Sequence, residues 1–133
     1  RERLAGRRGQ GDEESAAGEI PQRLRGLPRI VLGDFNEDSK PGTDSRRKGV
    51  YDLLLDQGEE RPLVDSSRKA GPGPRRGTFH NWEDEADERY PEVIDWILTD
   101  REITTTSWKV HTHKPKGGYP SDHFPVEARL QLP

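Results

Sequence analysis

Val93-Ile94-Asp95-Trp96-Ile97-Leu98 is an almost unbroken apolar run with one carboxylate inside it. Its shortness and its β-branched and aromatic content predict a buried strand. Asp95 is then the informative residue. A carboxylate taken out of water needs a partner, a metal or a proton, because desolvating its charge is otherwise unfavourable. Two readings of Asp95 stay open. It is a structural salt-bridge acid, with Arg89 a few residues away, or it orients an imidazole and fixes that ring's tautomer. The second reading needs a histidine, and the chain has four: His80, His111, His113 and His123.

Outward from this strand, two more carboxylates sit at strand ends. Arg29-Ile30-Val31-Leu32 is a short apolar run that leads into Gly33-Asp34-Phe35-Asn36. Two-residue spacing at a strand end can aim Asp34 and Asn36 at one cavity. There the acid can take a proton from water, and the amide can donate to a phosphoryl oxygen. The alternative is an Asx-type turn that closes the strand. Ser121-Asp122-His123 precedes the last strand. Adjacent side chains diverge, so Asp122 can hold a metal while His123 faces a substrate; a loop cap is the plainer reading. His111 and His113 alternate on a strand edge as a possible metal pair, or as exposed polar positions.

The remaining chain supplies further elements. Segment 13–26 is expected to be helical, behind a poorly ordered first dozen residues. Asp44 or Ser45 can cap a helix running to about Gln57, with Gly58 as its stop. Strands are predicted at Leu63–Asp65, Thr78–Trp82, Ile103–His111 and Val126–Leu132, and the last of these alternates apolar and polar residues. Segment 67–77 reads as a Gly/Pro/Arg loop.

Composition narrows the function classes. Of 133 residues, 28% are hydrophobic and 35% charged, with a net charge of −3. The weak net charge argues against disorder of the whole chain, and the clustered apolar residues imply a small folded core. Cysteine is absent, which excludes disulfides, thiolate zinc sites and cysteine nucleophiles. No apolar run approaches the roughly 18 residues of a membrane helix. Arg68, Lys69, Arg75 and Arg76 form a basic loop that can steer a phosphate-bearing substrate. Trp82 offers a stacking surface to the same end.

The order of these motifs resembles the C-terminal signatures of the endonuclease/exonuclease/phosphatase superfamily. The resembling features are a strand ending in Gly33-Asp34-Phe35-Asn36, an Ile94-Asp95-Trp96-Ile97 strand, and Ser121-Asp122-His123-Phe124-Pro125-Val126 before the final strand. The Gly77-Thr78-Phe79-His80-Asn81-Trp82 segment is similar to the one preceding the Ile-Asp strand in many members. The resemblance covers about residues 28–133, with 1–27 as a separate charged segment. It implies an α/β fold, the C-terminal half of a four-layer α/β sandwich in which two mixed sheets pack face to face with helices outside. This chain would supply one sheet and its flanking helix.

The resemblance also implies roles. Asp34 would be the general base, Asn36 a contact to the scissile phosphate, and His123 the phosphate-binding imidazole paired with Asp95. Asp122, with Asp34 and Asn36, would hold Mg2+, for which Mn2+ is a substitute. His80, Trp82, Arg75 and Arg76 are candidate substrate contacts. The implied reaction is metal-dependent hydrolysis of a phosphoester, a phosphodiester before a monoester, by in-line attack of water. The partner would be a phosphate ester, with nucleic acid among the candidates. Family members run to about twice this length, so an N-terminal half of the domain is expected elsewhere. Two other classes remain: an inactive module that keeps the fold to bind a partner, and a half-domain that associates with a separate chain.

Overall fold

The computed structural model describes residues 26–40, 49–56, 58, 60–71, 76–83 and 89–133. The helix expected over 13–26 and the caps expected at Asp44 and Ser45 lie outside those residues. The described elements run β1 (Ile30–Asp34), α1 (Val50–Leu54), β2 (Val64–Asp65), α2 (Ser66–Lys69), β3 (Asp95–Thr99), β4 (Thr104–Val110) and β5 (Val126–Gln131). They form a three-stranded sheet in the order β1-β3-β2 and a two-stranded ribbon of β4 and β5. Every pairing is antiparallel. The expectation of one sheet with a flanking helix therefore gives way to two antiparallel pieces with short helices.

The apolar run that carries Asp95 is the central strand. One face of the sheet packs Trp96 and Leu98 with Tyr51, Leu63 and Val93 as the buried core, and Val31, Phe35 and Trp108 close around it. Phe35 stacks on Trp96 at 4.3 Å, and Tyr51 meets the same ring edge-on at 5.1 Å. Burial of each such side chain contributes about 1.5–3 kcal/mol. The other face is partly open. Directly opposed residues of antiparallel strands point to one side, so Ile30 and Leu32 share that side with Ile97, Asp34 and Asp95. Leu32 is 67% exposed there.

Three expected elements change form. The α1 helix ends at Leu54 instead of Gln57, because the Leu54 carbonyl is taken by the amide of Leu63 at 3.1 Å and the chain turns towards β2. Glu37 caps its start, accepting from the amide of Val50 at 2.9 Å. The loop expected over 67–77 begins as one helical turn, capped by Asp65 accepting from the amide of Ser67 at 2.8 Å. Thr78–Trp82 is not a strand: only Phe79 bridges, to His123, and Asn81 and Trp82 take φ +49° and +66°. The other strands lie where the sequence puts them to within one or two residues at each end; β1 runs on through Gly33 and Asp34, and β3 begins at Asp95 and ends at Thr99.

Candidate active site

Sheet register brings the first two acids together. Asp34 ends β1 and lies directly opposite Asp95, the first residue of β3. The third motif arrives through the Phe79–His123 bridge and a bond from the amide of Phe124 to the Thr78 carbonyl at 2.7 Å. His123 then contacts both acids. Its Nδ1 is 2.9 Å from Asp95 Oδ2, and its Nε2 is 4.0 Å from Asp34 Oδ2. Arg89, the alternative partner of Asp95, is instead paired with Glu83 at 2.6 Å.

Electrostatics favour a charged imidazole. Burial pulls the pKa of His123 down, but the hydrogen bond and charge of Asp95, with the charges of Asp34 and Asp122, outweigh it and leave the pKa raised. With Nδ1 donating to Asp95, Nε2 is the nitrogen open to another group. Asn36 closes the loop beside it. It sits at φ +52° and donates to Asp34 twice, from its amide at 2.9 Å and from Nδ2 at 3.2 Å. The Asx-type turn is therefore present, with both bonds of Asn36 made to the carboxylate that precedes it. Asp122 is partly buried beside His123, and its carbonyl accepts from the amides of His80 and Asn81 at 2.9 and 3.2 Å.

The proposed ion fits this donor set in part. Asp34, Asn36 and Asp122 offer hard oxygens, which suit Mg2+, an ion commonly bound by one or two carboxylates plus substrate phosphate. No three His, Cys, Asp or Glu side chains cluster as a metal site among the described residues. His111 Nε2 lies 3.2 Å from Glu127 Oε2.

The candidate substrate contacts divide. Trp82 is 56% exposed. His80 is fully buried, its ring 4.2 Å from Tyr119 and 4.3 Å from Phe124, which leaves it no exposed surface to offer a substrate. Its Nδ1 accepts from the amide of Trp82 at 3.1 Å, which puts the proton of a neutral ring on Nε2. That Nε2 is buried with no hydrogen-bond partner among the described residues. Arg76 lies 3.4 Å from the Thr112 hydroxyl, and Arg75 lies outside the described residues. Arg68 and Lys69 hold the fold together. Arg68 donates to the Tyr51 hydroxyl and the Ser39 carbonyl, and Lys69 to the carbonyls of Arg101 and Ile103.

Sequence reading missed Thr78, whose Oγ1 accepts from the amides of Ile94 and Asp95 at 3.0 and 3.1 Å. Its partners are backbone groups 16 and 17 residues away, so no side-chain motif announces them.

Comparison with known proteins bears on the family and the fold. The profile of the Endonuclease/Exonuclease/phosphatase family matches residues 3–123. A mannosyl-6-phosphatase of Bacteroides thetaiotaomicron is similar in structure at TM-score 0.63 and 29% identity, over 83% of this chain and 40% of that one. A conserved protein of unknown function from Enterococcus faecalis gives TM-score 0.63 and 29% identity, over 84% and 39%. A second Bacteroides thetaiotaomicron protein, described as of the same family, gives 0.63 and 28%, over 81% and 37%. The chain thus spans about two fifths of the length of these structures. No curated protein matches it.

Proposed function

This chain belongs to the endonuclease/exonuclease/phosphatase family, and from that premise we propose that its complete protein hydrolyses a phosphoester by in-line attack of water. The observation that carries the reading is His123 held between two opposed carboxylates, 2.9 Å from Asp95 and 4.0 Å from Asp34. Asp34 orients the water and takes its proton. The Nε2–H of a protonated His123 meets a phosphoryl oxygen, where negative charge grows as the water oxygen bonds to phosphorus and the ester P–O bond breaks; the leaving oxygen keeps the electron pair of that bond and takes a proton from solvent to depart as the alcohol. Asn36 donates to the same phosphoryl group once its amide leaves Asp34. Asp95 acts through the ring that it orients. When bound at Asp34, Asn36 and Asp122, Mg2+, or Mn2+ in its place, supplies charge neutralisation at phosphate.

The substrate we propose is a small phosphorylated molecule rather than a polynucleotide. The basic loop is the argument for nucleic acid, and two of its four cations, Arg68 and Lys69, are spent on internal bonds. The mannosyl-6-phosphatase neighbour supports a sugar phosphate. The open side of β1 and β3 supports a complementing half of the domain. Ile30, Leu32 and Ile97 lie on the same side as Asp34 and Asp95, so whatever covers them borders the site. In that arrangement the two halves would complete the four-layer sandwich.

Phosphate release by the full-length protein tests this reading, with Mg2+ and a panel of sugar phosphates, a simple diester and DNA. Chelator-sensitive release from the sugar phosphates is expected. Cleavage of DNA with steep salt dependence would replace the small substrate with a polynucleotide. No turnover of any ester would favour the inactive binding module.

A further inference from the structure

Thr78 is completely buried, and it bonds to both strands of chain that carry the acid–imidazole pair. Its amide donates to the Glu92 carbonyl at 3.1 Å, just before β3. Its Oγ1 accepts from Ile94 and Asp95 at 3.0 and 3.1 Å, where the chain enters β3. Its carbonyl accepts from Phe124 at 2.7 Å, one residue beyond His123. The neighbouring Phe79 pairs with His123 in a bridge, and its ring meets the imidazole edge-to-face with centroids 5.1 Å apart. Gly77 permits this approach, since a Cβ there would collide with the Tyr90 carbonyl.

We propose that Thr78 is the positioning residue of the Asp95–His123 pair. Its hydroxyl fixes the backbone of the acid, and its carbonyl fixes the loop of the imidazole, so one residue sets the separation between them. The inference rests on the phosphoesterase reading above. Thr suits the task because its branched Cβ restricts χ1. The oxygen is therefore held where both amides can reach it. Loss of the oxygen leaves two partly buried amides without an acceptor, and the first residue of β3 can then shift. A displacement of about 1 Å at a reacting group can cost on the order of a hundredfold in rate.

The test is a double-mutant cycle in the full-length protein, with turnover expressed per folded molecule and melting followed in parallel. Thr78→Val keeps the shape and removes the acceptor. It is expected to lower kcat roughly ten- to a hundredfold with KM little changed. Thr78→Ser, which keeps the oxygen, should recover most of that loss. Should the Val variant fail to fold, Thr78→Cys, with its weaker acceptor, takes its place in the cycle. In an Asp95→Asn background the substitution at Thr78 should cost almost nothing further, because the acid it positions no longer acts. Losses that add in that background, or a Thr78→Val protein that melts lower but turns over normally, would overturn the inference. An Asp95→Asn protein with undiminished turnover would likewise overturn it, since the pair would then do no catalytic work, whereas a full-length protein that turns over no phosphoester at all would sink the phosphoesterase reading itself.

Discussion

Asp34 and Asp95 are direct cross-strand partners, yet His123 is bonded to only one of them, Asp95 at 2.9 Å, while Asp34 stands 4.0 Å from its other nitrogen. Like charges opposed across a strand pair destabilise it. The fold tolerates the arrangement because an imidazole with a raised pKa lies between them. The asymmetry separates their work. Asp95 is bonded to the ring, and Asp34 is bonded through both oxygens to Asn36; in the reaction proposed above, Asp34 is the acid that takes the proton of water.

Asp34→Asn in the complete protein is therefore expected to lower kcat and kcat/KM together, by a factor on the order of 10²–10⁴. The proton-accepting role proposed for the acid belongs to the transition state and not to binding. Steady-state kinetics decide the matter. A raised KM with unchanged kcat would show that Asp34 only binds substrate.

Much of this site was legible because its acids and histidine are short motifs at the ends of apolar strands. Asp34 and Asp95 needed only the antiparallel register of β1 and β3 to meet, whereas His123 is brought to them by its bridge to Phe79 and the bond from Phe124 to Thr78. Other features depend on contacts made at long range. His80 reads as a substrate ligand until Tyr119 and Phe124, some forty residues on, enclose its ring. Arg68 reads as a solvated cation until Tyr51 and the Ser39 carbonyl claim it. The α1 helix is stopped by Leu63 arriving at the Leu54 carbonyl, which no local propensity encodes. Backbone geometry hid the Thr78–Trp82 turn as well, because β-propensity there points to a strand and two residues adopt positive φ instead.

Asp100 gives a prediction about stability and pH, away from the site. It follows β3; its Oδ1 accepts from Arg29 Nε at 2.9 Å, and its Oδ2 accepts from the Arg29 backbone amide at 2.7 Å and from Arg61. Burial pushes its pKa up, but the bonds and charge of Arg29 and the charge of Arg61 prevail and hold it below the usual value of 3.8. A depressed carboxylate contributes stability above its unfolded pKa and loses it as pH falls through the folded pKa. Asp100→Asn should cost about 1–3 kcal/mol at neutral pH. That deficit should shrink as the pH falls below about 4. Denaturant melts at a series of pH values measure it, and a deficit that stays constant down to the acid end would count against the ion pair.

Trp82 offers a trade between stability and binding. It is 56% exposed at φ +66°, with its amide fixed to His80 Nδ1. A left-handed conformation costs an L-residue roughly 1–2 kcal/mol. Glycine adopts it freely, and such strain is often kept where it serves a site. Trp82→Gly should therefore raise the melting temperature slightly, by a gain of up to about 1 kcal/mol once lost side-chain contacts are subtracted. It should also raise KM for a ring-bearing phosphoester, since a stacking surface is gone. Unchanged KM would remove Trp82 from the list of substrate contacts.

Asp95 and His123 allow the sharpest separation of function from structure. At 2.9 Å the pair would look the same whether it stabilised the fold or oriented a catalytic ring. The two roles differ in how their losses combine. If Asp95 acts only through His123, then His123→Ala in the complete protein should cost several orders of magnitude in turnover, since it removes charge stabilisation from the transition state. Asp95→Asn should cost less, because the ring remains but is held loosely and in the wrong tautomer. Once His123 is gone, Asp95→Asn should cost almost nothing more, as residues that work as one unit are non-additive. A purely structural bond predicts the reverse: Asp95→Asn would lower the melting temperature, and turnover per folded molecule would hold. Kinetics and melting of the two single variants and the double variant distinguish these outcomes. Turnover losses that simply multiply would refute the pairing.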